Sequence, residues 1–423
     1  MKRYLWIFAV LPFLWSCIAE DRSACPQPRG VSVRMSVCPD PMTAVTHAAD
    51  EEAIRDLNLY LLDADRNVVL HRYQSSPTLR FECLPGDYLL RIAANMGRDT
   101  GDSPAWENLA VTHADDYDTL PMAYEGEVSI PSSDETVTLP TVEVQRVVVK
   151  VTYNISVAPD AGDIRLHSVQ PVNLPARMPV FDPGLRAAEY TAGEIVGSSS
   201  QTLTGTFYML PNLQGEVPSI ADQRDKGPAN APADATFLRI RALRGSKVLD
   251  YYIYPGGNNT SNFDIRANTH YRLDIMIRGD AEVDTRIRAY TVEVLCTPEA
   301  ALSNGFLLER QPMRLTLRLG GAYEETGVEA FVELKTGDVR YFGFEGQWGA
   351  VARTMEIRGP ENDYDIRYWP PSFTREECRF MFRVQILDRY GEVASFSFPY
   401  CYAHLLRVYT CLLYTSDAAD DSL

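Results

Sequence analysis

Alternation of apolar and polar residues, more than helical periodicity, organises this chain. In Gly30-Val31-Ser32-Val33-Arg34-Met35-Ser36-Val37 the apolar residues Val31, Val33, Met35 and Val37 fall on one face. Ser32, Arg34 and Ser36 fall on the other, the pattern of a half-buried strand. Leu57 to Leu62 is a short apolar strand, Asp63 to Asn67 a polar turn, and Val68 to Tyr73 a returning strand. Leu79 to Cys83 alternates again, Leu84-Pro85-Gly86-Asp87 turns, and Tyr88 to Ala94 follows as the next strand. Only Asp50 to Arg55 and Ser103 to Leu109 suggest short helical pieces.

A second set opens with the β-branched run Val147 to Ile155 and continues through Thr202–Met209, Phe237–Leu243, Lys247–Tyr254 and Tyr271–Ile277. A third begins near Tyr290 and includes Met313–Leu319, Ala330–Leu334, Met355–Ile357, Phe380–Ile386 and Val393–Phe398. Each set has the size of one β-sandwich. The pattern predicts an all-β chain divided into residues 29–143, 144–283 and an Ig-like third unit, 287–410. ADQRDKGPANAP, residues 221–232, reads as a surface loop within the second set.

The N-terminus sets the compartment. Lys2 and Arg3 precede an apolar run, Tyr4 to Trp15, which is too short to span a bilayer as a helix. Leu14-Trp15-Ser16-Cys17 resembles a bacterial lipobox, with cleavage before Cys17 and a diacylglycerol on its thiol. Each buried lipid methylene contributes about 0.8 kcal/mol, so two or three acyl chains anchor firmly. Residues 1–16 are then the signal peptide and 17–28 a lipidated linker. An ordinary signal peptide with an incidental cysteine is the plainer alternative. Ile18-Ala19-Glu20-Asp21 resembles the surface-export signal of Bacteroidota lipoproteins, although an acidic linker would look the same.

At the other end the composition changes after Thr410. Residues 411–421 resemble one reading frame of a sequencing adapter, so 411–423 is set aside as an artefact and the natural chain is expected to continue past Thr410. With Cys17 and Cys411 removed, Cys25, Cys38, Cys83, Cys296, Cys378 and Cys401 remain. Fifteen disulfide pairings are open to them, as are free thiols.

Several stretches together resemble the fimbrillin superfamily, the lipoprotein-derived pilins of Bacteroidota, and its minor-fimbrillin-like members in particular. They are Leu84-Pro85-Gly86-Asp87-Tyr88 leading to Ala94-Asn95-Met96-Gly97, Leu120-Pro121-Met122 with Gly126, and Val144 to Val151. The most specific are Tyr208-Met209-Leu210-Pro211-Asn212-Leu213-Gln214-Gly215 and Phe263 to Tyr271, where Ala267 interrupts the family's Arg-Asn pair. The resemblance covers roughly residues 25 to 280. It implies tandem transthyretin-like, antiparallel β-sandwiches and assembly by strand exchange. An arginine-specific protease removes the first strand of a stalk pilin, and a neighbour's strand fills the groove. Arg22, Arg29 and Arg34 are the candidate processing sites here, and Val31, Val33, Met35 and Val37 mark the candidate exchangeable strand. Surface arginines without processing fit the sequence equally. The residues also have local reasons: glycine permits φ > 0 at turns, proline suits strand ends, and asparagine bonds its own backbone.

Candidate chemistry is thin. Asp63-Ala64-Asp65-Arg66-Asn67 begins like a calcium loop, but Val68 stands at the sixth position and Gln74 at the twelfth. His113-Ala114-Asp115-Asp116-Tyr117-Asp118 is a metal candidate or a solvated acidic loop. Trp348, Tyr368 and Trp369 could stack on sugars or pack a core. No HExxH, GxSxG, phosphate loop or dinucleotide fingerprint occurs. No catalytic residue, metal or cofactor is expected, and a net charge of -17 argues against nucleic acid. The expected role is a surface-anchored fimbrial subunit, more an anchor, tip or accessory protein than a stalk repeat. Its partners would be other fimbrial subunits, the outer membrane through the lipid, and a host or bacterial surface ligand. The alternatives are a non-polymerising glycan- or protein-binding lipoprotein and a hydrolase whose catalytic domain lies beyond Thr410.

Overall fold

The first unit is one sheet folded onto itself. Its strands are β1 (Val31–Pro39), β2 (Leu57–Leu62), β3 (Val68–Gln74), β4 (Thr78–Cys83), β5 (Gly86–Ala94), β6 (Ala110–Thr112), β7 (Met122–Ile130), β8 (Val137–Thr138) and β9 (Val142–Arg146). The computed structural model describes residues 29–402 apart from 41–48, 115, 281–283, 285, 298–305, 308–312, 338–340, 345–346, 349–352 and 370–377. The strand order is β3-β2-β5-β7-β9-β1-β4, with β8 beside β1. β9 is the fold line, because it pairs with β7 at only two positions and then with the end of β1. The halves close over one core in which Val33 and Met35 of β1 meet Leu57, Leu59, Phe81 and Ile92.

The second unit has β10 (Val149–Val157), β11 (Arg165–Val172), β12 (Arg177–Pro179), β13 (Thr202–Met209), β14 (Phe237–Arg244), β15 (Lys247–Ile253) and β16 (His270–Ile277). A three-stranded sheet, β13-β10-β16, packs on a sheet containing β11-β14-β15. β12 pairs with β6 of the first unit, and Val147, Val148, Met178 and Val180 complete the first unit's core. The first two sandwiches therefore share packing.

The third unit contributes β17 (Ile287–Thr297), β18 (Met313–Gly321), β19 (Glu329–Gly337), β20 (Glu361–Trp369), β21 (Cys378–Asp388) and β22 (Gly391–Tyr402). The sequence reading treats this set as a unit of its own. In the structure β17 pairs with β15, from Lys247↔Thr291 to Tyr251↔Ile287, so the second unit's sheet runs on through β17, β18 and β20. Alternation reports which residues are buried but not which strand lies alongside. The all-β class is as expected. Most neighbouring strands run antiparallel, and within the sandwiches β1 runs parallel to β8 and β9, and β10 runs parallel to β16. The helical pieces reduce to a 3₁₀ turn at Ala49–Glu52 and turns near residue 106, because both stretches are too short to nucleate a helix.

A buried charge cluster ties the third unit to the second. Arg241 on β14 meets Asp250 on β15 through two bonds of 2.9 and 2.8 Å, and it also contacts Asp388 at the end of β21. Tyr290 donates to Asp388 at 2.9 Å, and the Arg239 guanidinium lies 3.8 Å over the Tyr390 ring. All four charged side chains are at most 1% exposed. Removing one member leaves the others charged and dry, which costs about 3–5 kcal/mol. Asp388→Ala should lower urea stability by that amount. A loss below about 1 kcal/mol would mean the cluster does not hold the units together.

Candidate assembly site at the first strand

β1 is buried as its alternation predicts. Val31, Val33, Met35 and Val37 are 2, 0, 1 and 5% exposed. Ser32 and Arg34 face solvent, and Ser36 is half-buried. β4 runs antiparallel on one side, with Val33 opposite Phe81 and Met35 opposite Leu79. β8 and β9 run parallel on the other, with Val33 opposite Val137 and Val37 opposite Val142. Three further backbone bonds fix the register: Val37 N–H to Pro77 O, Leu139 N–H to Arg34 O and Asp40 N–H to Val144 O, at 2.8–2.9 Å. Beside β1, where β7 and β9 diverge, a cleft of about 600 Å³ is lined by Met35, Tyr124, Glu127, Leu139, Glu143 and Arg146.

The connection from β1 to β2 is fastened to the second unit. Arg146, 1% exposed, donates from Nη1 to Asp40 O at 2.7 Å and to Asn268 Oδ1 at 3.3 Å, and from Nε to Glu51 O at 3.2 Å. Asn268 takes the left-handed conformation, φ 53°, and donates to Asp40 Oδ2 at 2.9 Å. Glu51 Oε1 accepts from Lys150 Nζ and Tyr208 OH, both at 2.6 Å. Burial alone would raise the Glu51 carboxyl, but the bonds from Lys150 and Tyr208 and the charges of Lys150 and Arg146 bring it below the ordinary value. Burial and the Glu51 carboxylate push the Tyr208 phenol upward.

Several motif residues from the sequence converge on this junction. Asn95, also left-handed at φ 60°, donates to Ala53 O and Leu120 O and accepts from Arg55 N–H. Pro121 O accepts from Val147 N–H. Asn212 donates to Asp234 O and Thr236 Oγ1, which pins the second unit's turn. Gly97 uses its conformational freedom at φ 68°, whereas Gly86 simply opens β5 without positive φ. Sequence reasoning passed over Asp40, Glu51, Arg146 and Lys150 as site residues. The visible signal was a charge at each end of the apolar run Val147-Val148-Val149.

The processing candidates separate. Arg29 is exposed just before β1. Arg34 sits inside the strand, between Arg80 of β4 and Thr138 of β8. Cys17 and Arg22 lie outside the described residues. Asp63 spends its carboxylate on Asp65 N–H and Asn67 N–H, the bonding of a hairpin turn. At the second metal candidate, Tyr117 bonds back to Ala114 N–H and Thr112 O, and Asp115 lies outside the described residues. No group of three or more metal-ligating side chains occurs among the described residues. The side chains of Trp348, Tyr368 and Trp369 lie outside the description. Cys38, Cys83 and Cys296 are free thiols.

Residues 207–275 match the model of a domain of unknown function, DUF4906, a segment that holds both of the most specific motifs. No curated protein matches the chain. Among solved structures, the chain is similar to the tip fimbrial protein Mfa3 of Porphyromonas gingivalis with C-terminal truncation. The identity is 15% over 62% of this chain and 98% of that one, with a TM-score of 0.45. It is also similar to the fimbrial anchor protein Mfa2 of the same organism, at 9% identity over 51% and 78% of the two chains, with a TM-score of 0.30.

The Glu51 clasp has a pH signature. A carboxyl held low in the folded state contributes stability that is fully present above its unfolded value, and the contribution is lost as pH falls through the folded value. The urea midpoint should therefore fall with acid below about pH 4.5. Glu51→Gln should flatten that acid limb and cost about 3–5 kcal/mol at pH 7 by leaving Lys150 buried without its carboxylate. An unchanged acid limb would remove Glu51 from the account.

Proposed function

We propose that the protein is a surface lipoprotein of the fimbrial kind, anchored in the outer membrane through Cys17, which acts as a tip, anchor or accessory subunit and not as an enzyme. The observation that carries this reading is β1. It is a regularly alternating strand at the entry to the fold, buried on one face and paired on both sides. Removing it would uncover a groove of unpaired backbone and apolar pockets, which a partner strand of like alternation would fill.

The arginines argue for the end of a filament rather than its middle. Cleavage after Arg22 or Arg29 leaves β1 joined to β2 through Asp40 and Glu51, which Arg146, Lys150 and Asn268 hold. Only a cut after Arg34 divides the strand, and there the backbone is locked between two neighbours. Each of the four inward side chains contributes about 1.5–3 kcal/mol of burial. Their sum is comparable with the whole stability of a typical domain. β1 therefore stays in place after either of the first two cuts, and a subunit that keeps its own strand ends the series of acceptors. Surface adhesion through the lipid-anchored ectodomain accompanies this role.

An arginine-specific protease added to the native protein should cut after Arg29 within minutes and spare Arg34 at least 100-fold longer, as N-terminal sequencing would read. A labelled peptide copying residues 30–39 should bind the protein lacking that strand, and neither the intact nor the Arg29-cut protein. Rapid cutting after Arg34 would return the protein to the stalk class. Equal peptide binding with and without β1 would remove strand exchange from the reading.

A further inference from the structure

β16 offers a second edge that no cleavage is needed to open. It pairs only with β10 among the described residues, in parallel, from Lys150↔His270 to Val157↔Ile277. Lys150 N–H bonds Thr269 O at one end of this ladder and Ala158 N–H bonds Ile277 O at the other. Bonding residues alternate along a parallel ladder. The odd-numbered residues of β16 therefore face β10. The N–H and C=O groups of Arg272, Asp274 and Met276 point the other way, where no strand lies among the described residues.

That edge borders a trough of about 700 Å³, floored by Tyr251, Ile253, Ile275 and Ile287 and bounded by Lys226 and Asn259. Met276 on its rim is 54% exposed. The trough's charge opposes that of the chain. Arg224 is paired with Asp222 and Arg286 with Asp284, and the Lys226 ammonium is spent on Asn258 O and Asn262 O. Arg272 and Arg278 have no carboxylate within ion-pair distance among the described residues, on a protein whose net charge is -17. They stand six residues apart, about 20 Å along a strand.

We propose that the free edge of β16 is a standing acceptor for an extended segment of a partner protein. That segment alternates apolar residues with polar ones and carries acidic residues six positions apart. Its backbone bonds Arg272, Asp274 and Met276. Its apolar side chains settle on Tyr251, Ile253 and Ile287, and its acids meet Arg272 and Arg278. This acceptor works with β1 in place, so it stands or falls apart from strand exchange in the first unit.

The test uses the full-length, uncut protein and the labelled peptides EVTVTVE and KVTVTVK, read by fluorescence anisotropy and amide exchange. The acidic peptide should bind at least ten-fold tighter than the basic one, and Arg272→Glu with Arg278→Glu should invert that preference. Asp274→Pro removes an outward N–H and no ladder bond, a position where an edge strand tolerates proline. It should weaken binding at least ten-fold with an unchanged melting temperature, while Asp274→Asn binds as well as the parent. Exchange protection should appear at Arg272, Asp274 and Met276. Equal binding to the parent and Asp274→Pro, or protection confined to β1 and β4, would overturn the proposal. So would peptide-free dimerisation of the parent that Asp274→Pro abolishes, because the edge would then belong to a second copy.

Discussion

Arg146 is the fixed point of the first two units. Burying a guanidinium costs several kcal/mol unless its donors are met, and at 1% exposure this one has little water. It meets the backbone of Asp40 at the end of β1, the backbone of Glu51 before β2, and the side chain of Asn268 before β16. Three chain segments must therefore arrive together for one residue to be tolerated inside. Asn268 accepts a left-handed backbone, a conformation asparagine adopts more readily than most residues. Glu51 supplies the nearby negative charge and shares it with Lys150 and Tyr208. The first strand is in this way fastened at its C-terminal end by charge as well as along its length by packing.

Much of the fold was legible because strand alternation is a local property. Val31, Val33, Met35 and Val37 had to share a face, and the pattern placed them inward before any partner strand was known. Asn95, Pro121 and Asn268 were legible as turn residues, yet their partners lie up to 228 positions away. Spacing in the sequence carries no record of that distance. Gly86 shows the reverse error: a glycine in a turn motif suggested positive φ, but it opens β5. The parallel pairs were illegible for a similar reason, since an alternating strand looks the same beside either direction of neighbour.

At the boundary between the second and third sets, a break in the sequence pattern is not a break in the sheet. The polar stretch before Ile287 ends one run of strands, but β17 returns to the same sheet beside β15. Arg241 and Asp388, 147 positions apart, then share a dry contact across that boundary. Nothing in the sequence marks either residue as the other's partner. Once paired they make the boundary costly to open, because separation would leave β15 without its neighbour and Arg241 without one of its carboxylates. Tension between the units must break a backbone ladder and a buried charge cluster together, whereas a simple linker would yield first.

β1 and β16 represent two answers to the problem of an unpaired strand edge. In the first unit the groove is filled from within, at the expense of committing nine residues of the chain to it. In the second no described strand covers the outer edge of β16, and charge restrains it: Arg272 and Asp274 are exposed along that edge, a common way of discouraging indiscriminate pairing. Such a charge is selective as well as protective. An apolar edge would accept any extended chain, but one bordered by Arg272 and Arg278 favours a strand that brings acids to both ends. The filled groove excludes partners by occupancy, and the open edge discriminates among them by charge.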